Sequence, residues 1–428
     1  GSAAGITVSM ETIAFPERTV LMAKGSRKQF TSSAGLLNCI AEVRLAKETA
    51  EFFDALLLEE QREWSDEFLE RLLLNDESTV RVCLLDTGVS IGHPMLKPVI
   101  SPSDVYAVEP DWDKADSNGH GTGMAGLAAY GDFVDVLDSS DKVNLRHRLE
   151  SVKMMRGDGD NKGRNLGHIT ANAISLPVID SPELKRVFSM SVAARDTRDR
   201  GRPSAWSSAV DSLAVDYANE GESPNLFVLC AGNVVDNLKA MKEYPDFNML
   251  EDVHDPGQAW NAITVGAYTE KTEMTGPGAG RYSLLAPEGG LSPFSTTAKM
   301  WAKQSPIKPE VVLEGGNAGV DNFSAVSMPS LSLLTSDSNP ADRLFTTTRA
   351  TSASTALLAK MAAEIMCEYP ELWPETVRAL IIHSAQWTES LETQFKTGST
   401  SRQQYHNLLR VCGFGVPSLS RALWSASN

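Results

Sequence analysis

Arg81-Val82-Cys83-Leu84-Leu85-Asp86-Thr87-Gly88-Val89 decides the fold class. Val82 to Leu85 run without polar alternation, the pattern of a strand buried on both faces, and Asp86-Thr87-Gly88 closes the run as a turn. Comparable β-rich runs recur at Glu150–Met155, Arg186–Val192, Asn225–Asn233 and Ala262–Ala267. Helix-like stretches such as Thr122–Tyr130 and Ser207–Glu220 lie between them, which is the alternation of βαβ units. The expected fold is therefore α/β, a mostly parallel central sheet with helices on both faces. Ligands of such sheets bind beyond the carboxyl ends of the strands, where Asp86 and Asn233 both fall.

Outside this region the pattern changes. Residues 1 to about 36 show no periodicity, whereas Leu37 to Asn75 read as amphipathic helices. Phe53 and Leu57 are spaced i, i+4, as are Trp64, Phe68 and Leu72, with acidic residues between them. We expect two parts: residues 1–75, a helical attachment that buttresses the main domain or acts as a regulatory arm, and residues 76–424, the main domain.

Composition narrows the partners. The 428 residues carry a formal net charge of −16, which repels phosphate backbones and anionic membranes, so neither nucleic acid nor membrane is expected as a partner. No apolar run reaches the roughly 18 residues of a membrane span, and the start lacks the order of a secretory signal. Gly1-Ser2 reads as a cloning remnant, so a trimmed signal would leave the same beginning. The five cysteines, Cys39, Cys83, Cys230, Cys367 and Cys412, are odd in number and widely spaced. That argues against a disulfide framework and for free thiols in a reducing, cytoplasmic setting. The segment Asp158-Gly159-Asp160-Asn161-Lys162-Gly163 approximates a calcium loop, but Ile169 stands where the bidentate glutamate belongs, and it reads as a turn.

Three short segments carry chemistry when taken together. Asp86 ends a buried strand, where backbone donors can hold a carboxylate that still points into a cleft. In Asn118-Gly119-His120-Gly121-Thr122-Gly123-Met124-Ala125-Gly126, small neighbours leave the imidazole accessible at the start of a helix. In Thr351-Ser352-Ala353-Ser354-Thr355-Ala356-Leu357-Leu358 a hydroxyl-rich stretch opens a helix whose apolar face repeats through Ser354, Leu358, Met361 and Ile365. There the Ser352 N–H and the helix dipole can stabilise a developing oxyanion. Taken singly, each segment has an ordinary structural use as a turn, a surface histidine or a helix cap. As a set they supply a nucleophile, a base and a base-orienting carboxylate, in the chain order Asp, His, Ser.

These segments resemble the subtilisin-like proteases, the subtilases. Asp86-Thr87-Gly88, His120-Gly121-Thr122 with Ala125-Gly126, and Thr351-Ser352 are similar to the family's Asp, His and Ser motifs. Ala231-Gly232-Asn233 is similar to its oxyanion segment, and Ser189-Met190-Ser191-Val192 to the strand that pairs with substrate backbone. Ile307–Val312 and Gly413–Pro417 match as well, and the resemblance covers residues 76 to 424. It implies a subtilisin-like fold and a serine endopeptidase acting on protein or peptide substrates through an acyl-enzyme. The implied catalytic residues are Asp86, His120, Ser352 and Asn233; Ser189, Met190, Ser191, Val192, Ala231 and Gly232 would bind substrate. It implies no required cofactor; subtilases often carry structural calcium, but no segment places a site. Gly123, Ala350 and Thr355 depart from the family pattern, at positions of a second histidine, a glycine and a proline, and Ala193 and Ala194 stand where glycines are common. The long segments Asp132–Asp141, Asp236–Asp255 and Lys271–Leu291 point to a shaped specificity or a docked regulatory protein. Two rival readings remain: a protease switched on by a partner, and a catalytically silent scaffold of the same fold. The chain runs only a short way past Pro417, leaving room for a further C-terminal domain in the natural protein.

Overall fold

The computed structural model describes residues 6–14, 19–24, 48–75, 77–157, 159–195, 198–234, 241–323 and 325–427, and the chain divides into two compact units, Gly1–Glu48 and Thr49–Asn428. In the smaller unit β1 (Thr7–Ala14) pairs antiparallel with β2 (Thr19–Lys24), Thr7 opposite Lys24 and Ala14 opposite Thr19. The alternation begun by Val8 and Met10 loses phase at Glu11-Thr12, where the register also shifts, and for that reason no periodicity announces the hairpin. Residues 37–47 of the expected helical segment, with Cys39, lie outside the described residues.

The expected helices fall in the larger unit as α1 (Ala50–Asp54) and α2 (Leu58–Arg71). Phe53 and Phe68 are fully buried, but Leu57 is 70% exposed. The i, i+4 pairing of Phe53 with Leu57 fails because α1 stops at Asp54. Leu57 instead precedes α2, its N–H donating to the Glu60 carboxylate at 2.9 Å. Phe53 packs edge-on to Phe345 with centroids 6.5 Å apart, and Phe68 to Tyr130 at 4.9 Å. Buried Gln61 accepts from the N–H groups of Leu344 and Phe345 at 2.7 and 3.2 Å. The two helices thus share the main core.

Around them stands an eight-stranded sheet. Its strands are β3 (Val80–Asp86), β4 (Val105–Ala107), β5 (Arg148–Lys153), β6 (Lys185–Met190), β7 (Leu226–Cys230), β8 (Ile263–Thr269), β9 (Gly290–Leu291) and β10 (Val311–Glu314). They are ordered β9-β8-β7-β6-β3-β5-β4, with β10 also on β8, and every pairing is parallel except β8 with β9. Side chains of β3 alternate between two cores. Val82 and Leu84 join Met124, Leu358 and Phe53 on one face; Cys83 and Leu85 join Ile169, Phe188 and Phe227 on the other. Helices α3 (His120–Tyr130) and α6 (Ala350–Glu368) cover the first face, and α4 (Leu166–Asp180) and α5 (Ala205–Ala214) the second. Cys83 and Cys230 are buried free thiols, and burial pushes both up, Cys230 to about 12. No helix among the described residues is long and apolar enough to cross a membrane.

Helix α6 owes its central place to small residues: Ala353, Ala356, Ala359, Ala362 and Ala363 are all fully buried and let the helix axis approach the sheet. Its first residue, Ala350, has φ +70°, in the left-handed region that favours glycine, with its N–H on the Gly315 carbonyl at 2.7 Å. Relief of this strain and the extra unfolded-state freedom of glycine roughly offset. Ala350→Gly is therefore expected to change stability by no more than about 0.5 kcal/mol, against about 1 kcal/mol for glycine in an ordinary helical position. Ala350→Val should cost more than about 2 kcal/mol, since a β-branched side chain is excluded there. Urea unfolding of the two variants checks the contrast.

Candidate active site

Asp86, the last residue of β3, is 1% exposed. Its Oδ1 accepts the Thr87 N–H at 2.8 Å and lies 2.7 Å from His120 Nδ1. A carboxylate on Nδ1 places the ring proton there and leaves Nε2 as the basic nitrogen. The His120 side chain is 34% exposed, so one edge of the pair is enclosed and the other faces solvent.

The turn that leads into His120 is held by a residue the sequence motifs did not single out. Asp116 Oδ1 accepts from Thr87 Oγ1 at 3.0 Å and from the N–H groups of Asn118 and Gly119 at 2.9 Å each. Its Oδ2 accepts from the Thr122 N–H and Oγ1 at 2.8 and 2.7 Å. One carboxylate thus ties the turn after β3 to the first turn of α3, where it satisfies orphan amides. Thr87 Oγ1 also accepts the Gly121 N–H at 2.9 Å. A Cβ on Gly121 would stand 2.2 Å from the Gly88 carbonyl oxygen, so this approach of helix to turn requires glycine. Gly123 faces the Thr335 methyl, 3.3 Å from where its Cβ would stand.

Ser352 is the third residue of α6 and 7% exposed. Its Oγ donates to the Ser191 carbonyl, and Ser191 Oγ donates to the Ser352 carbonyl, both at 3.2 Å. Beside it, Asn233 Oδ1 accepts from the Thr351 N–H at 3.1 Å and Thr351 Oγ1 at 2.7 Å. Thr351 Oγ1 in turn accepts the Gly232 N–H at 3.2 Å. Two donors on the oxygen fix which way the amide faces and turn its NH₂ away from Thr351.

The residues expected to meet substrate divide by position. Ser189 pairs with Leu84 on one side and Val228 on the other, and Met190 is fully buried, so neither offers a free edge. Both lie in the sheet interior, while Ser191 and Val192 lie past the end of β6. The Ala231 carbonyl accepts from the His254 N–H and from Thr296 Oγ1, both at 2.8 Å, and the Gly232 carbonyl from Thr296 Oγ1 at 3.0 Å. Ala231 and Gly232 therefore present a wall, not unpaired backbone groups. Behind Gly232, at φ +97°, the His254 ring stands 2.3 Å from where a Cβ would be. Burial, then Arg195, lowers the His254 pKa to about 4, so the ring is neutral above that pH. The Ala194 N–H donates to the Asp255 carbonyl at 2.8 Å, so His254-Asp255 bridges the two segments that flank Ser352. Only the length of the 236–255 segment hinted at this. Among the described residues no group of three or more His, Cys, Asp or Glu side chains is arranged to hold a metal.

Asp116→Asn tests the tie around His120. The new amide would set its own N–H groups against the Thr122 donors, and a loss of about 1–3 kcal/mol is expected for the unmet buried groups. Chemical denaturation measures it.

Comparison with known proteins agrees with this architecture. The chain is 29% identical over 264 residues to an uncharacterized protein of Sinorhizobium fredii, spanning 58% of this chain and 56% of the length of that curated relative. Among solved structures, a lanthipeptide protease matches with a TM-score of 0.51 at 18% identity, over 90% of this chain and 100% of that one. Sphericase matches with 0.46 at 20% identity, over 72% and 83%. At 18% identity the likeness to the lanthipeptide protease is one of fold. Residues 77–415 match the Subtilase family, and the chain belongs to that family of serine proteases.

Proposed function

We propose that the chain is a serine endopeptidase that cleaves peptide bonds through an acyl-enzyme, with Ser352 as nucleophile, His120 as base and Asp86 as its orienting carboxylate. The observation that carries the reading is the 2.7 Å bond between His120 Nδ1 and Asp86, whose carboxylate is enclosed. Such a bond fixes the tautomer that general-base catalysis needs and stabilises the imidazolium formed when Nε2 takes the serine proton. Ser352 Oγ carries one proton, so it leaves the Ser191 carbonyl when it transfers that proton and attacks the substrate carbonyl. His120 then protonates the leaving amine, and water repeats the sequence on the ester.

The oxyanion would be met by the Ser352 N–H at the head of α6 and by the Asn233 NH₂, with Asn233 Oδ1 already bonded to Thr351. Substrate would lie along Ser191-Val192, against the wall of Ala231-Gly232. The competing reading, a silent scaffold of this fold, gives Asn233 no use beyond its bonds to Thr351.

Ser352→Ala is expected to abolish hydrolysis of a peptide substrate while unfolding within about 1 kcal/mol of the parent, since one weak hydroxyl bond is lost. Retained turnover would overturn the assignment. Asn233→Asp separates the two jobs of that amide, because the carboxylate keeps an oxygen for Thr351 and removes the NH₂ donor. Its kcat should fall by at least roughly 10²–10³, a magnitude taken over from subtilisin itself, with stability nearly kept. On the scaffold reading the substitution leaves any residual kcat where it was. Steady-state kinetics beside thermal unfolding distinguishes the outcomes.

A further inference from the structure

Helix α7 (Ser401–Cys412) carries Arg402, His406 and Arg410 at i, i+4 and i+8, hence on one face. Arg410 is 3% exposed, and the loop 302–306 closes round its guanidinium. Its Nη1 donates to the Pro306 carbonyl at 2.6 Å, and its Nη2 to those of Ala302, Lys303 and Ser305 at 2.9, 3.1 and 3.0 Å. Carbonyls satisfy the donors but leave the charge standing, whereas a buried arginine is ordinarily matched by a carboxylate, as Arg186 is by Glu150 at 2.7 Å. Lys299 and Lys303 bring two further cations to the same face, and Lys299 Nζ donates to Asn407 Oδ1. Among the described residues none of these four cations has a carboxylate within ion-pair distance. Burial alone lowers the pKa of Lys299 and of Arg410, with no acid raising either. Burial, then Arg410, Lys299, Lys303 and Arg402, lowers that of His406, whose enclosed Nε2 has no hydrogen-bond partner among the described residues. Arg200, whose carbonyl accepts from Ser305 Oγ across the same loop at 3.5 Å, is already faced by Asp252 at 3.5 Å and adds nothing.

We propose that this face holds an acidic stretch of the polypeptide substrate, which presupposes the peptidase activity proposed above. Thr296, bonded to the Ala231 and Gly232 carbonyls, stands behind the wall of the cleft, and Lys299 follows three residues on, within about 11 Å at full extension. The Ala298 N–H donates to the Arg410 carbonyl at 2.9 Å and ties this segment to α7. A substrate lying against the wall therefore meets the cations a few residues from the bond to be cut. Lys303 and Arg402 are exposed, and neither side chain has a hydrogen-bond or ion-pair partner among the described residues, so both are free to meet carboxylates. The net charge of −16 repels a long polyanion such as a nucleic acid, but a short acidic stretch confined to this face is screened from most of that charge beyond a Debye length of about 10 Å.

The test titrates fluorescein-labelled octaglutamate with the full chain carrying Ser352→Ala, so that the peptide is not cut, and reads anisotropy at low ionic strength. Saturable binding is expected, with octaglutamine left unbound. Lys303→Gln together with Arg402→Gln, at side chains the fold does not use, should weaken binding by about tenfold. In parallel, the chain with Ser352 intact digests reduced, carboxamidomethylated lysozyme with and without an added C-terminal octaglutamate tail. The tail should lower KM several-fold, an advantage lost in the double variant while the untailed protein is cut at the parent's rate. Absence of saturable binding, binding unchanged in the double variant, or tighter binding of inorganic phosphate or of an oligothymidylate of equal charge overturns the proposal, as does digestion indifferent to the tail. Binding of octaglutamate without digestion of either protein leaves the acidic-segment surface standing and turns against the peptidase reading instead.

Discussion

The carboxylate of Asp116 is the constraint on which the arrangement of the site depends. Its five acceptor bonds gather Thr87 from the end of β3, the backbone of Asn118 and Gly119, and Thr122 from α3. Without an acceptor at that point, the first amides of α3 would be orphaned within a part-buried turn, and the helix that carries His120 would lose most of its ties to the end of β3. The glycines on either side follow from the same requirement. Gly121 lets the helix reach the turn, and an added Cβ there would stand 2.2 Å from the Gly88 carbonyl.

At the other side of the cleft the same logic runs through Thr351. Its hydroxyl accepts from Gly232 and donates to Asn233, so the segment after β7 and the head of α6 share one hydrogen-bond relay. The serine then stands where two independently positioned segments converge, with Ser191 closing the third side. Each contributor comes from the carboxyl end of a parallel strand or the amino end of a helix, which is where an α/β sheet exposes backbone donors.

The parts of this design that were legible in sequence are those written in local chemistry. Unalternating strands, the small residues around His120 and the apolar repeat of α6 are imposed by burial on contiguous residues, and they predicted a mostly parallel sheet, its central strands and the helices α3, α5 and α6, though not α4 or the strand order. Asp116 escaped notice because its partners are mostly backbone amides, which leave no trace in side-chain pattern. His254 was hidden for a related reason: its place behind Gly232 depends on a long segment folding back. Leu57 kept helical spacing with Phe53 although the helix between them is broken, and Ser189 and Met190 matched a substrate motif whose first residues are enclosed by neighbouring strands.

The central claim is that Ser352 is a nucleophile activated by His120. Reaction of the chain with a fluorophosphonate, followed by peptide mapping in a mass spectrometer, addresses it most directly. The account predicts a single adduct on Ser352 that disappears when His120 is replaced by alanine. An unlabelled chain, an adduct on another serine, or labelling indifferent to His120 would contradict it.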